Sequence, residues 1–565
     1  MEESKDNKQV KELKRTPLDM ILDHLRPKSP ISAFLISLLV TLLSWFSFEP
    51  VINFRFYGIA WLMVLFFMLC IILFSNKSIQ KWSGFMIFIC LLYCIFGSVM
   101  SEEMFRASSY RDQLGKVEYD SKFEFDIPEV ELSRIRIIDH DVAVRLGQKI
   151  LGTETSLGSQ VRLGEFFIQN IKGKLYWVAP LLHSGFFKWW SNSDGTPGYV
   201  MVSATDELDV KLVENVNNKP IKIKYQTEAY FMSELTRHLY FSGFMTTGFT
   251  DITFEIDDEG NPFWVVSLYD KQIGFAGKNA FGIATIDPQT GEVKKYLSAE
   301  APKWIDRIHP NDILQEQVRC WGEYVHGYIN PSHEDQIKPT GEMILIYGEG
   351  DHCWWYQGMT STGQDNSTVG FLLIDSRTKK VKFHKQTGAT EIAAMNSAMG
   401  KVQEKGYVSS HPVAYNIAGV PTYVMALKDQ AGLIKQVAMV SIHDYAIVSV
   451  GSDINEAIRN YEFELSSKGK MSNSLTSKNS KTESNISGVI SRISADTRGG
   501  NTIWYFLLNN QPAKIFLGMG SVSPELPLSQ PGDSVQVGWH SKNESNAIDI
   551  LRFNNLKIED PARIK

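Results

Sequence analysis

Three long runs without a charged residue lie near the N-terminus, at positions 31–48, 57–75 and 84–100. Each run has 17 to 19 residues, close to the length that a helix needs to cross a hydrocarbon layer about 30 Å thick. None contains Asp, Glu, Lys, Arg or His, the side chains on which ion paths and proton relays in membranes depend. The pattern therefore predicts three transmembrane helices that contact membrane lipid as an anchor.

The basic residues that flank these runs are distributed unequally between the two sides of the predicted membrane. Seven lie on the side of the N-terminus and four on the other side. Cytoplasmic loops are enriched in Lys and Arg, so the bias predicts a multi-pass protein of the cell membrane with a cytoplasmic N-terminus and an extracytoplasmic soluble region. The seven are Lys11, Lys14, Arg15, Arg26, Lys28, Lys77 and Lys81; the four are Arg55, Arg106, Arg111 and Lys116.

Beyond position 133 the pattern changes to short alternating strands interleaved with amphipathic helices. In the stretch GIATIDPQTGEVKKY, alternating Ile283 and Thr285 fit a half-buried strand. Asp287 followed by Pro-Gln-Thr-Gly fits a tight turn. Four helices are predicted, each with an apolar stripe that can pack on a sheet. They span residues 141–151, 228–241, 311–321 and 390–405.

Aromatic residues and turn aspartates recur in four successive segments. Each segment runs from a helix through a strand with an aromatic residue to a second strand, an acidic turn and a final strand. Such a unit buries little apolar surface alone and should pack on its neighbours. The sequence therefore predicts an α+β tandem array of four small helix-plus-antiparallel-sheet units, of which the first and third are most alike. The aromatics are Trp177, Trp264, Trp355 and Tyr423, and the aspartates are Asp206, Asp287, Asp375 and Asp444.

The C-terminal part of the chain consists of a polar stretch and a β-rich segment. Residues 466–485 contain almost no apolar side chain and are predicted to be a flexible linker. About five short apolar strands follow, separated by turn sequences such as Arg-Gly-Gly-Asn and Gln-Pro-Gly-Asp. This spacing predicts a small all-β barrel, which resembles the oligonucleotide/oligosaccharide-binding (OB) folds.

A chain of 565 residues is too long for one hydrophobic core, so several domains are expected. The predicted order begins with a cytoplasmic segment, three membrane helices and a connector, and continues with the four units, the linker and the barrel. The corresponding ranges are 1–30, 31–100, 101–133, 134–215, 220–297, 304–385, 389–465, 466–485 and 486–565.

Charge and cysteine content narrow the possible functions. The net charge of −6 and the lack of a basic stripe give no reason to expect a nucleic-acid partner. Three of the five cysteines lie in the apolar runs, which leaves Cys320 and Cys353 either to form a disulfide or to remain as two buried thiols.

No common catalytic or cofactor-binding motif is present. The chain lacks a nucleophile elbow, a phosphate loop, an HExxH motif, paired CxxC motifs and a dinucleotide fingerprint. The third unit is rich in potential metal ligands, but their spacing matches no closed zinc site. We therefore predict no metal, no cofactor and no catalytic residue. The potential ligands are His309, Cys320, His326, His333, Asp351, His352 and Cys353.

The second unit ends with a distinctive sequence. VVSLYDK is followed by IATIDPQTGEVKKY, which contains an aspartate, a short turn with Thr-Gly-Glu and a closing strand that begins with Val. Here the chain resembles the PepSY family of small extracytoplasmic domains. The resemblance implies a binding or inhibitory module of envelope proteins rather than an enzyme. The other units have Glu-Leu-Asp, Arg-Thr-Lys-Lys and Tyr-Ala-Ile at this turn and depart from the family pattern.

A long aromatic loop distinguishes the first unit. The interval from the strand aromatic to the first aromatic of the next strand spans 22 positions there, against 17 and 16 in the second and third units. Its aromatic residues are predicted to bind a membrane or a partner. The alternative is that they cover the edge of a neighbouring unit. They are Phe186, Phe187, Trp189 and Trp190.

These features favour a membrane-anchored, extracytoplasmic binding or scaffold protein of the bacterial cell envelope, without catalytic activity and with a protein partner in the envelope. One alternative is an envelope enzyme that acts on cell-wall glycan or peptide. It would need two carboxylates held close together in a groove between units. Another alternative is an auxiliary subunit of a membrane complex.

Overall fold

The computed structural model describes residues 26–119, 126–131, 134–153, 158–348, 352–363, 367–468, 483–498, 501–520, 522–540, 547–550 and 552–558. In these residues, apolar helices at the N-terminus precede a mainly β structure with α-helices, in which five sheets contain four to six strands each. The α-helices are Pro30–Phe48, Gly58–Leu73, Lys77–Ser101, Glu103–Asp112, His140–Thr153, Phe186–Ser191, Leu235–Leu239, Asn311–Glu323, Glu391–Lys401 and Ile454–Ser467.

Two of the described helices are long and apolar enough to cross a membrane. Pro30–Phe48 has 19 residues and Lys77–Ser101 has 25, and only 11% of the most apolar window of each is buried by the rest of the chain. The helix between them, Gly58–Leu73, has 16 residues because Phe74 adopts an extended backbone conformation. This length is just below the range of about 17–25 residues for a spanning helix. The structure thus contains two candidate spans where the sequence predicts three.

Four sheets of mainly antiparallel strands occupy the middle of the chain, and a helix precedes each sheet along the chain. We name them sheets I to IV. Sheet I comprises Val161–Leu163, Phe167–Ile171, Lys174–His183, Tyr199–Ser203 and Val210–Val213. Sheet II comprises Gly248–Ile256, Pro262–Ile273, Ala276–Ile286 and Val293–Leu297. Sheet III comprises Val117–Tyr119, Ile337–Pro339, Ile344–Tyr347, Cys353–Ser361, Gly370–Asp375 and Val381–His384. Sheet IV comprises Val408–Ser409, Val413–Ile417, Val420–Lys428, Ile434–Ser441 and Val448–Gly451.

Sheets I, II and III share a hydrogen bond between a strand tryptophan and the chain that leads into the sheet. In each case the indole N–H donates to a backbone carbonyl about 40 residues earlier. A buried indole needs such a partner, so the bond fixes this segment against its sheet. The pairs are Trp177 with Ile138 at 2.9 Å, Trp264 with Tyr225 at 2.8 Å, and Trp355 with His309 at 2.9 Å.

The turns between the last two strands differ from the sequence prediction in sheets I and IV. Asp287 and Asp375 begin these turns in sheets II and III, and their backbone N–H groups bond carbonyls five positions on. Ser203 and Ser441 hold that position in sheets I and IV, three residues before the predicted aspartates. The predicted Asp206 and Asp444 lie within these turns, where each carboxylate accepts a hydrogen bond from the backbone N–H two positions later.

The prediction of a helix over residues 228–241 is mostly wrong. The α-helix covers only Leu235–Leu239, and a π-helical turn follows it. The carboxylate of Glu234 accepts hydrogen bonds from the backbone N–H groups of the two residues after Leu235, so it starts the helix there. Before it, Phe231 has a φ of 53°, which no α-helix accommodates.

Regular structure extends into the predicted connector and linker. Connector 101–133 contains the helix Glu103–Asp112 and the strand Val117–Tyr119, which pairs in parallel with Val381–His384. The helix Ile454–Ser467 and the strand Glu483–Arg498 enter the two ends of linker 466–485. Positions 469–482 of this linker lie outside the described residues.

The C-terminal sheet, named sheet V, is organised around its long first strand. The first half of Glu483–Arg498 pairs with Ser534–His540 and the second half with Asn501–Leu508. Two short strands near the C-terminus complete the pairing, one parallel to Gln511–Met519 and the other antiparallel to Ser534–His540. The two short strands thus form the two edges of the sheet, which surrounds a buried apolar core. The short strands are Ala547–Asp549 and Arg552–Asn555.

The sheets pack against one another through shared apolar cores. Tyr199 of sheet I and Phe254 of sheet II lie in one buried cluster, with ring centres 5.9 Å apart. Trp177 of sheet I shares another cluster with sheet III. The hydroxyl groups of Tyr356 and Tyr423 join sheets III and IV by a hydrogen bond of 2.8 Å. Sheet I is therefore in contact with both sheet II and sheet III.

Candidate functional site

The four aromatic residues predicted to form a binding site lie on the short helix Phe186–Ser191. Gly185, with a φ of 107°, turns the chain out of sheet I and into this helix. Phe187 is 82% exposed and Trp190 is 65% exposed. Phe186 is 37% exposed, whereas Trp189 is only 8% exposed. Three of the four predicted residues are therefore exposed, and the buried ring of Trp189 packs against those of Phe186 and Trp190.

A second apolar segment, which the sequence analysis missed, lies against this helix. The ring centre of Tyr230 is 5.0 Å from that of Phe186 and 5.4 Å from that of Trp189. Phe231 and Met232, next in the chain, are 56% and 47% exposed. Exposed apolar groups that are this close together indicate an interaction surface. We define the aromatic surface as Phe186, Phe187, Trp190, Tyr230, Phe231 and Met232.

Arg237 connects the aromatic surface to the end of the first apolar helix. It donates a hydrogen bond to the carbonyl oxygen of Phe231 at 3.1 Å and another to that of Phe46, also at 3.1 Å. It also forms an ion pair with Glu49 at 2.9 Å, and both side chains are mostly buried. Because Glu49 directly follows the helix Pro30–Phe48, the aromatic surface lies near the C-terminal end of that helix.

Aromatic contacts strengthen the same junction. The indole N–H of Trp45 donates to the hydroxyl of Tyr240 at 2.7 Å, and that hydroxyl donates to the carbonyl of Pro50 at 2.8 Å. The ring of Phe241 stacks on that of Phe46, with centres 5.7 Å apart. The π-helical turn that replaces part of the predicted helix places these two aromatic residues against the apolar helix.

The hairpin tip of sheet II makes a second junction with the apolar helices. The ring of Phe275 lies 4.8 Å from that of Tyr57 and 5.0 Å from that of Tyr93. Its backbone N–H donates to the hydroxyl of Ser101 at 2.7 Å. At the opposite end of the helices, Arg26 donates to the carbonyl of Ile72 at 3.1 Å. The sheets and residue 26 are therefore at opposite ends of the apolar helices.

Potential metal ligands occur together at a place that the sequence analysis did not identify. Among the described residues, ligand atoms of Glu103, Glu316 and Cys320 lie within 4.8 Å of one another. Arg319 contacts Glu103 and forms an ion pair with Glu316 at 2.7 Å. Burial raises the pKa of the Cys320 thiol to about 12. The arrangement is an ion-pair network that joins two helices, with the thiol in its protonated form.

The cysteines settle one alternative that the sequence left open. All five, including Cys320 and Cys353, are free. Both of these thiols are buried, so they pack as small apolar side chains. Of the two alternatives for Cys320 and Cys353, the structure agrees with two buried thiols and not with a disulfide.

Two buried carboxyl groups lie between sheets I, II and III. Burial raises the pKa of Glu255 to about 7 and that of Asp306 to about 6. Asp306 accepts hydrogen bonds from the backbone N–H of Asn170 at 2.8 Å and from the hydroxyl of Tyr347 at 3.1 Å. Through these bonds Asp306 links sheet I to sheet III. The raised pKa values of Glu255 and Asp306 make their contribution to stability dependent on pH.

Comparison with known proteins gives no family assignment. The sequence matches no family model, and no curated protein is similar to it. Among solved structures, an exo-beta-1,3-galactanase from Phanerochaete chrysosporium with bound beta-1,3-galactotriose aligns at 10% identity over 69% of this chain and 61% of its own, with a TM-score of 0.18. An apocarotenoid oxygenase of Synechocystis aligns at 10% identity over 52% and 49%, with a TM-score of 0.13. The chain thus spans less than two thirds of either protein.

Proposed function

We propose that this protein is a membrane-anchored, extracytoplasmic binding or scaffold protein of the bacterial cell envelope, and that it has no catalytic activity. The observation that carries the proposal is the exposure of Phe187 and Trp190 on a surface tied to the end of an apolar helix. Aromatic side chains near the end of a membrane helix favour the boundary between lipid headgroups and acyl chains. The aromatic surface enters this boundary and holds the sheets against the membrane.

The proposed orientation has the N-terminus in the cytoplasm. The proposal takes the shorter apolar helix Gly58–Leu73 as a third crossing. Arg26 and the sheets are at opposite ends of the apolar helices, which supports opposite sides of the membrane for the two. Lys77 follows the helix Gly58–Leu73 and lies at the end where Arg26 is bound. The excess of basic residues at this end fits the cytoplasmic side.

We further propose that sheets I to IV are copies of one unit and that the second copy is a PepSY-like binding module. The tryptophan bond to the preceding segment, present in sheets I, II and III, supports a common origin for these three. The turn position occupied by Ser203, Asp287, Asp375 and Ser441 extends the likeness to sheet IV. Four copies side by side present a long surface for a partner protein.

For sheet V we propose an OB-like barrel. Its first strand pairs with two different strands through its two halves. The last two short strands reach both edges of the sheet. The sheet has six strands, and a partly open barrel, as in the five-stranded OB fold, reduces exposed strand edges. Its ligand in this proposal is a protein or a glycan, since the net charge of the chain is negative.

We expect position 187 to contact lipid in the full-length protein reconstituted into bilayers. A bimane label on Phe187→Cys should be quenched by nitroxide groups in the lipid, because this side chain projects from the surface that meets the interface. The matched control is Leu208→Cys, which is 91% exposed on a turn of sheet I and should stay unquenched. Equal quenching at the two positions would contradict the lipid contact and leave a protein partner as the function of the surface.

Substitution separates the surface from the core beneath it. Changing Phe187, Trp190 and Phe231 together to Ser should leave the melting temperature nearly unchanged, because exposed positions contribute little to stability. Trp189→Ser should lower the free energy of unfolding by about 3 kcal/mol, since it removes a buried aromatic ring. Circular dichroism of the detergent-solubilised protein measures both. Unfolding of the triple variant would show that these rings belong to the core.

The alternative of an envelope enzyme receives less support from the described residues. The cleft where sheets I, III and IV meet contains Asp139 and Asp141. Lys428 contacts Asp139 and lies 3.8 Å from Asp141, so these carboxylates share an ion pair with one lysine.

A further inference from the structure

A cleft with a volume of about 550 Å³ lies where sheets I, III and IV meet. We call it the junction cleft. Its walls are formed by residues 136–141, 166–168, 342–345 and 409–411, together with Arg307. The volume falls within the range of about 300–1,000 Å³ for small-molecule pockets. It is separate from the aromatic surface and from the ion-pair network around Arg319.

Two arginines of this cleft occupy equivalent positions in sheets I and III. Arg136 lies two residues before the carbonyl that accepts the Trp177 bond, and Arg307 lies two residues before the carbonyl that accepts the Trp355 bond. Each guanidinium group also lies over an aromatic ring. The distances to the ring centres are 5.7 Å for Arg136 over Trp177 and 5.6 Å for Arg307 over Phe167. The repeated placement brings two cations to one cavity.

Neither arginine has a carboxylate within 4.0 Å in the part of the chain that the structure describes. The third basic residue of the cleft, Lys428, is in contact with Asp139. For Arg307, the Nε and Nη2 atoms are buried and have no hydrogen-bond partner among the described residues. The charges of Asp251, Glu255 and Asp306 act on Arg307 and raise its pKa, but Asp306 accepts its hydrogen bonds from Asn170 and Tyr347.

The unpaired donors of Arg307 can accommodate a further acceptor. A guanidinium group has five N–H donors in a planar fork that fits the oxygens of a carboxylate or phosphate group. The aromatic rings stabilise its positive charge but leave these donors without acceptors. Phe166, Met343 and Trp355 line the same cavity and offer apolar contacts to the body of a ligand.

We propose that the junction cleft binds a small organic anion, and that Arg136 and Arg307 hold its carboxylate or phosphate group. The site does not depend on the membrane contact of the aromatic surface. It gives the sheets a ligand-binding function in addition to anchoring, and it lies where binding can affect the contacts among three sheets.

Calorimetric titration of the detergent-solubilised full-length protein at 150 mM NaCl tests this site, with citrate and inorganic phosphate as separate probes. We expect saturable binding of one probe, which also identifies whether carboxylate or phosphate chemistry is preferred. Arg136→Gln and Arg307→Gln should each weaken the binding at least about tenfold, because each removes a charge-assisted pair. The affinity of Arg307→Lys for the probe should lie between the affinities of Arg307→Gln and the natural chain.

The control is Arg162→Gln, which removes the same charge from an exposed ion pair with Glu228 outside the cleft. It should not change the affinity. The absence of saturable binding for both probes would overturn the proposal, as would an equal loss in all three Gln variants. Melting temperatures identify a variant that fails to fold. If Arg307→Gln unfolds, Arg136→Gln and Arg307→Lys decide the outcome.

Discussion

Replacing Gly198 with Ala is expected to lower the free energy of unfolding by about 3 kcal/mol, the sum of a left-handed backbone penalty and overpacking. Gly198 directly precedes the strand Tyr199–Ser203 of sheet I and has a φ of 83°. An added Cβ would collide with the carbonyl oxygen of Val213. The strand that follows Gly198 is paired with the strand that contains Val213, so the two backbones cannot move apart without breaking this pairing. Guanidinium denaturation of the detergent-solubilised protein, followed by circular dichroism, measures the loss.

Gly282 and Gly370 hold the same place in sheets II and III. A Cβ there would meet the carbonyl oxygens of Tyr296 and His384, so Ala should destabilise each sheet as well. The matched control is Gly400→Ala in the helix Glu391–Lys401, where nothing lies within 4 Å. It should be neutral or stabilise the protein by up to about 1 kcal/mol. Equal denaturation midpoints for Gly198→Ala and Gly400→Ala would show that the strands do not pack this closely.

The contribution of Glu255 and Asp306 to stability is expected to fall as the pH rises from about 4 to about 7, opposite in sign to that of His309, whose pKa burial lowers to about 4. Glu255 and Asp306 have pKa values of about 7 and about 6 in the folded protein because they are buried, whereas the unfolded chain loses these protons near pH 4. Between those pH values these two groups bind more protons in the folded state than in the unfolded state. The contribution of each group to the free energy of unfolding is therefore greatest in acid. Raising the pH to about 7 removes about 3 kcal/mol per group, at about 1.36 kcal/mol for each unit of pKa difference.

Glu255→Gln separates this effect from other carboxyl groups, because the amide stays neutral at every pH. When midpoints of denaturation are measured at several pH values between 4 and 7, we expect the slope of stability against pH to be more positive in the variant than in the natural chain, because the negative contribution of Glu255 is removed. Glu300→Gln, an exposed position, should retain the natural slope. Identical slopes for the two variants would mean that Glu255 is already ionised in the folded protein.

Helices with a strong apolar stripe were predictable from the sequence. The prediction of 311–321 corresponds to Asn311–Glu323, and that of 141–151 to His140–Thr153. The prediction of 228–241 failed because its apolar residues serve other contacts: Tyr240 packs on the first apolar helix, and Phe231 lies on the aromatic surface. Periodicity alone cannot distinguish an apolar face against a sheet from one against a membrane helix.

The candidate site was predictable only in part. Phe186, Phe187 and Trp190 could be recognised by their density in a long loop. Their neighbours Tyr230 and Phe231 come from a segment about 40 positions later, and nothing in either segment indicates that the two meet. Trp189 was grouped with the exposed rings, but it is buried against Tyr230 and Phe231.

The sequence by itself determined the apolar N-terminal segment, the alternation of helices with antiparallel strands and the places where tight turns occur. These features depend on local patterns of apolar, turn-forming and capping residues. Only the tertiary structure decided which aromatic rings stay exposed, that Arg237 links them to the first apolar helix, and that Arg136 and Arg307 line one cleft. Such contacts join residues up to about 190 positions apart, and their energies depend on burial and geometry that no short stretch of sequence contains.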